Sequence, residues 1–466
     1  MTSSLARRDF LKRSIAMAAM GSPFGLSLAG MADAAAASAS DYKALVCVYL
    51  QGGNDHGNTI TPYDDANYKA YQALRPTVAL SQSSLAATAL TACKNTILNS
   101  AGSSCMFALA PQLAPLWPLF NAGQLAVQLN VGPLVEPTTR AMYLANPNAA
   151  TLPYQLMSHQ AQTAEWQADE SPAGTTGWAG RLSDVYVGQN GSQSVLTSIN
   201  ASTLGAPLFS GGVSTQVYTT GDTALLPSVS AIAGKSLFGS AACASALSSL
   251  LTSASADPFE STYSSLFSTA LATVSTVNSA LAGAPSLASQ FPNQTLLDKQ
   301  LQQVARLISI APGLGIRRQV FFVALGGFDT HDGLTTAHPP LLTQLGNALA
   351  GFYAAMVSLG QQNQVTAFTL SEFGRAMESN VDGSDHGWGS HHLVLGGAVK
   401  GCQVYGTAPI LANGGPDDIG QGRFIPSTSV DQYAATLGAW FGLSGTQLQA
   451  ALPNLKNFPL QNLGFV

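Results

Sequence analysis

Charge is what this 466-residue chain has least of: Lys, Arg, Asp and Glu make up 9% of it, and the formal net charge is −5. No basic stripe matches a phosphate backbone and no acidic tail suggests a solvated arm, so the composition speaks against a nucleic-acid partner. Long apolar runs are missing as well. Past the first forty residues, Ser, Gly, Asn or Gln interrupts every apolar stretch before it reaches the roughly 20 residues a membrane span needs. Cysteine is scarce, with five residues and no CxxC spacing, which removes the usual zinc-ribbon and thiol-redox motifs. The odd count leaves at least one thiol unpaired within the chain. Cys93 and Cys105 flank a loop and make the candidate disulfide, while Cys47 sits in an apolar run as a small hydrophobe. There is no G-x-S-x-G elbow, no Walker A loop, and no Rossmann glycine motif between a strand and a helix. Ordinary serine hydrolases, P-loop enzymes and NAD enzymes are therefore disfavoured.

The first forty residues carry an address. Arg7-Arg8-Asp9-Phe10-Leu11-Lys12 opens a basic segment, and an apolar run to about Met31 follows. Small residues then give several A-x-A patterns between Ala32 and Ala39. The paired arginines before Phe10 and Leu11 indicate the twin-arginine (Tat) route. The expectation is a signal peptide over 1–39, the Tat translocon as partner, and a periplasmic or secreted mature protein.

The remainder is expected to be one α/β domain over 40–466. Ala44–Leu50 is apolar on both faces and stops at Gly52-Gly53, which predicts a buried parallel strand. Further strands are expected at 124–130, 319–325, 364–370 and 392–395. Helices are expected at 111–120, 158–167, 178–187, 295–310, 341–359 and 431–441. Their alternation predicts a mostly parallel sheet with helices on both faces, a three-layer α/β/α sandwich. Residues 190–292 lack sharp motifs and are set apart as a variable insertion.

In such sheets, ligands bind outside the carboxyl ends of the strands. Asp55, Asp329 with His331, and Glu372 all follow predicted strand ends, so they should meet at one edge. Only seven histidines occur, and three of them fall in Asp385-His386-Gly387-Trp388-Gly389-Ser390-His391-His392. Imidazole with carboxylate suits a divalent metal: zinc first, with manganese, magnesium or calcium as alternatives. Each residue has a plainer role available. Asp55 can cap a helix, Glu372 can pair with Arg375, and His338 beside two prolines can be structural. His391 and His392 are adjacent, so on a strand they point to opposite faces. His159 opens a predicted helix as a ligand, a base or a surface residue. Gly387-Trp388-Gly389 suggests a tight turn shielding the site.

Several segments resemble a bacterial family of Tat-exported proteins, the domain of unknown function 1501 family. They are Leu50–Asn58, Ser158-His159 with Glu165-Trp166-Gln167, Gly177–Arg181, Leu325–His331, Ser371–Arg375 and Asp385–Gly397. That family is similar to distant members of the alkaline phosphatase and sulfatase superfamily. The resemblance implies an alkaline-phosphatase-like fold and usually two metals. It implies a metal ligand at Asp55, an Asp–His pair at Asp329 and His331, and a later Asp–His pair. For the later pair, Glu372 stands directly after its strand but is followed by Phe373 where a His would be, and Asp385-His386 has the right residues. The last ligand is then His386, His391 or His392. A Ser, Thr or modified Cys nucleophile is also implied. Thr59, Thr138, Thr139 and Ser158 are candidates, with His159 as a further catalytic candidate. The expected function is metal-dependent hydrolysis of a small anionic phosphate or sulfate ester. The alternative is a non-catalytic, envelope-associated binding protein that keeps the fold and one metal.

Overall fold

Every residue of Ala44–Leu50 is buried, and alternate side chains enter two different cores. In the computed structural model this run is strand β1, Lys43–Gln51. The structure describes residues 41–91, 94–168, 176–204, 209–214, 216–220, 224–225 and 236–466. The signal segment and Cys93, with its suggested disulfide, lie outside them.

The central sheet continues with β2 (Leu125–Gly132), β3 (Ser198–Asn200), β4 (Gln216–Thr220), β5 (Ala224–Leu225), β6 (Arg318–Gly326) and β7 (Val365–Leu370). A hairpin, β8 (Arg375–Ser379) with β9 (Ser384–His386), stands apart from it. Strands β10 (Ser390–Leu395), β11 (Gln403–Tyr405) and β12 (Thr428–Ser429) complete it. The order is β11-β2-β10-β7-β1-β6-β3-β4-β5, with β12 beside β2. Pairing is mostly parallel; β10 runs antiparallel to both its neighbours and β5 antiparallel to β4. Residues 198–200 pair with β6, so the region set apart as an insertion contributes to the sheet itself.

Helices that bear on the argument are α1 (His159–Ala168), α2 (Trp178–Asp184), α3 (Pro258–Ala282), α4 (Leu296–Ile310), α5 (Leu334–Ser358) and α6 (Val430–Phe441). One face of β1 presents Val46, Val48 and Leu50 to Leu301 and Val304 of α4 and Leu345 and Phe352 of α5. The other presents Leu45, Cys47 and Tyr49 to Trp166 of α1, Trp178 of α2 and Tyr433 of α6. Each such fully buried side chain contributes about 1.5–3 kcal/mol. Helices thus cover both faces of a mostly parallel sheet. Among the described residues no helix is long and apolar enough to cross a membrane.

Helix α5 begins at Leu334, seven residues before the sequence places it, and runs through Pro339 and Pro340. Prolines lack the N–H that an interior turn uses. Burial of Leu334, His338 and Leu342 offsets that loss. The 111–120 segment is a 3-10 turn over Pro111–Leu116 followed by a short α-helix over Trp117–Asn121.

Candidate metal centre

Strand register sets the site. Gln51 pairs with Gly326, and Tyr49 with Leu370, so β1, β6 and β7 end at the same edge. Gly52, Asp329 and Glu372 emerge there together. The Gly52 N–H donates to Glu372 Oε1 at 2.8 Å. A Cβ on Gly52 would lie 2.3 Å from the Asp329 nitrogen, and its φ of +118° also demands glycine. The hairpin supplies the rest: Arg375 pairs with His386 across β8 and β9.

Asp329 is the centre. Its Oδ1 lies 3.1 Å from His331 Nε2 and 3.2 Å from His386 Nε2, and its Oδ2 lies 3.4 Å from His159 Nε2. His331 Nε2 and His386 Nε2 are 2.9 Å apart. On each ring the other nitrogen is taken. His386 Nδ1 meets the Met157 carbonyl at 2.7 Å, His159 Nδ1 meets Glu372 Oε1 at 2.8 Å, and His331 Nδ1 meets Asp385 Oδ1 at 3.3 Å. Those oxygens accept, so each Nδ1 carries a hydrogen and each Nε2 is the nitrogen turned toward Asp329. His159, Asp329 and His386 each offer a ligand atom within 4.8 Å of the other two. Tetrahedral zinc ligands lie roughly 3.3 Å apart, given zinc–nitrogen bonds of about 2.0–2.1 Å. The donor set therefore fits zinc, and imidazole with carboxylate also suits manganese, iron or cobalt.

The ligand atoms face an opening, while their supports are buried. Side-chain exposure is 46% for Asp329, 43% for His331 and 38% for His159, against 1% for Glu372 and 0% for Arg375. Arg375 Nη1 donates to Asp329 Oδ1 at 2.7 Å and to the Gly52 carbonyl at 3.1 Å, and its Nη2 donates to the Ser384 carbonyl. Partial burial raises the Asp329 carboxyl, but Arg375 outweighs it and holds Asp329 below the usual carboxylate range. The Glu372 hydrogen bond raises His159, whereas burial lowers His386. Such oxygen partners behind ligating imidazoles fix the ring orientation and the ligand basicity.

Five of the eight residues expected to hold metal gather here: Asp329, His331, Glu372, Asp385 and His386. Glu372 stands behind His159, which joins Asp329 and His386 in the group that could hold a metal ion. Arg375 pairs with Asp329, not with Glu372. Asp55 is fully buried, its Oδ2 2.5 Å from Arg75 Nη2. His391 Nδ1 accepts from the Asn130 N–H at 3.0 Å, and the ring packs edge-on to His56. His392 points the other way, against Trp166 and Tyr433, its Nδ1 3.3 Å from Thr369 Oγ1. Burial lowers His391 to about 4 and His392 to about 3, so both are neutral core groups. Thr59 is buried and donates to the Asp55 carbonyl at 2.7 Å. Thr138 bonds the Glu136 carbonyl, Thr139 caps the following helix, and Ser158 Oγ accepts from the Ala161 N–H. The Trp388 ring is fully buried with Leu134, Leu152 and Phe458, with Met157 packed against that cluster, and its Nε1 donates to the Pro133 carbonyl.

Phe373 follows Glu372 directly in the chain. Its ring packs against His386 and His159, with centroids 4.5 and 4.8 Å away, and only a glycine at 53 leaves it room. The carbonyl of Met157 and its tether Gln162 carry no sequence signal; Glu165, one turn on, stands in a motif whose role the sequence leaves open.

The model of the family described as "Protein of unknown function (DUF1501)" matches residues 42–452. The chain belongs to that family. The match takes in every residue of the candidate site described above. No curated protein sequence matches the chain. Two solved structures share 8% identity with it: Ps i-CgsB, at TM-score 0.36, and Ps i-CgsB in complex with k-i-k-neocarrahexaose, at TM-score 0.35. They cover 88% and 87% of this chain and 77% and 74% of their own. A likeness this faint carries no argument.

Proposed function

We propose that this DUF1501 protein is a metal-dependent hydrolase of phosphate or sulfate esters. In this reading it is exported by the Tat route and built on an alkaline-phosphatase-like sandwich. One observation carries the reading: three imidazoles, each with Nδ1 held by an oxygen, turn Nε2 toward the carboxylate of Asp329. His159, Asp329 and His386 would hold one divalent cation, zinc first, with His331 at its flank. Bound there, the cation would polarise the ester and lower the pKa of an attacking water. Three protein ligands with an open side are what catalytic zinc sites keep. Arg375 fixes the Asp329 carboxylate, Glu372 and the Met157 carbonyl fix two rings, and Phe373 keeps water from their faces.

The second reading is a binding protein that keeps the cation without turnover. Among the described residues no Ser, Thr or Cys side chain hydrogen-bonds to Asp329, His159, His331 or His386. That favours water as the nucleophile, and it also suits a site without catalysis. Metal analysis after native purification, then a panel of phosphate and sulfate esters, tests both readings. About one equivalent of metal, lost in Asp329→Ala, is expected. Metal-free protein sinks the reading; metal without ester turnover leaves the binding protein.

A further inference from the structure

We infer that Gln162 is a positioning residue for this cation site, one side chain that holds the supports behind both His386 and His159. The inference rests on the metal reading above and deepens it.

Gln162 is fully buried on α1, one turn after His159. Its Oε1 accepts from the Met157 N–H, and its Nε2 donates to the Glu372 carbonyl at 3.5 Å. Those two residues are the partners of the ligand rings: the Met157 carbonyl takes His386 Nδ1, and the Glu372 carboxylate takes His159 Nδ1. The Met157 contact is not one the chain adopts freely. Met157 has φ 66° and Gln155 φ 46°, both left-handed, a region side-chain-bearing residues seldom occupy. Such backbone persists where its surroundings over-determine it. Here the Gln162 amide and the Glu165 carboxylate do so, accepting from the N–H groups of Met157 and Tyr154. The segment before α1 is thereby turned so that a main-chain carbonyl faces the hairpin and selects the Nδ1–H tautomer of His386. Without Gln162, Met157 can relax to right-handed backbone and withdraw its carbonyl. His386 could then present either nitrogen.

The test is zinc affinity by chelator competition on the full chain, with the visible spectrum of the cobalt-substituted protein as a geometric readout. Gln162→Met keeps the volume and removes both bonds. It should weaken zinc by about 10–100-fold, as losing an outer partner of a ligand does. It should shift the cobalt bands and leave the circular dichroism of the metal-free protein unchanged. Gln162→Glu keeps an acceptor for the Met157 N–H but not the donor to Glu372, so its loss should be smaller. If Gln162→Met does not fold, Gln162→Glu decides on the same two readouts. Wild-type affinity with an unshifted cobalt spectrum would overturn the assignment. His386→Ala, measured alongside, separates the two levels. If it binds zinc like wild type, the site reading fails. If it loses zinc while the Gln162 variants keep it, only the positioning role fails.

Discussion

Removing the guanidinium of Arg75 should destabilise the protein severely without emptying the metal site. Arg75 and Asp55 are both 0% exposed and 2.5 Å apart. Among the described residues the second Asp55 oxygen has no hydrogen-bond partner, and the Arg75 guanidinium is the charge paired with this carboxylate. Taking one partner from a buried pair leaves an uncompensated charge and costs about 3–5 kcal/mol. Arg75→Met should lose that much in urea unfolding at pH 7. Replacing both, Arg75→Met with Asp55→Asn, should recover most of it, because a neutral pair of similar volume has little desolvation to repay. Zinc stoichiometry should stay at wild-type level. A deficit under about 1 kcal/mol would refute the buried-pair reasoning. Loss of zinc would instead return Asp55 to the ligand role its strand-end position suggests.

Acid should weaken the fold through three buried histidines. His338, His391 and His392 are lowered to about 4, 4 and 3, chiefly by burial. Their stabilisation is present above the unfolded value near 6.5 and is lost as pH falls, so between pH 7 and 5 each should lose about 2 kcal/mol. Urea titrations at the two pH values measure this, and equal midpoints would refute it. Glu372→Gln should weaken zinc by about tenfold, since an amide orients His159 but adds less basicity than a carboxylate; chelator competition reads the change, and an unaltered constant removes Glu372 from the support. Gly52→Ala places a Cβ 2.3 Å from the Asp329 nitrogen on a backbone at φ +118°. It should cost at least about 1–3 kcal/mol from backbone strain alone and should displace Asp329 enough to impair zinc binding. A variant that is wild-type in both respects would mean the two loops have slack the structure denies.

The sheet was legible because its signals are one-dimensional. Ala44–Leu50 and Gln319–Leu325 are apolar on both faces, and only a strand covered on two sides buries such a run. Glycine stops after these two strands, and Ser371 after Val365–Leu370, mark where the loops begin, so Asp329 and Glu372 could be placed at a common edge from sequence alone. Asp55 follows the same rule, and its carboxylate pairs with Arg75. A rule about strand ends locates a residue, while a partner twenty positions on, Arg75, decides where its carboxylate points. His391 and His392 show the same limit. Alternation on a strand correctly sends them to opposite faces, but nothing local says that both faces are closed, with His56 on one side and Trp166 on the other.

The supports of the site were hidden for a different reason. Composition and motifs report side chains, and two contacts that orient the candidate ligands are made by main chain. The Met157 carbonyl holds His386, and the Gly52 N–H holds Glu372. Neither depends on its own side chain, except that position 52 must have none. What can be read in sequence is a Gly-Gly stop that lets one loop pass under another; the glutamine one turn after His159 shows its role only once its burial is known. Gln162 has no charge to pair and no surface to solvate. A buried amide is retained where both its donor and its acceptor are used. In this chain both are used on the two residues that aim the imidazoles. The Gln162 reading therefore builds on the cation reading. The cation needs three side-chain atoms to converge on one point, and Gln162 keeps the backbone behind them bent.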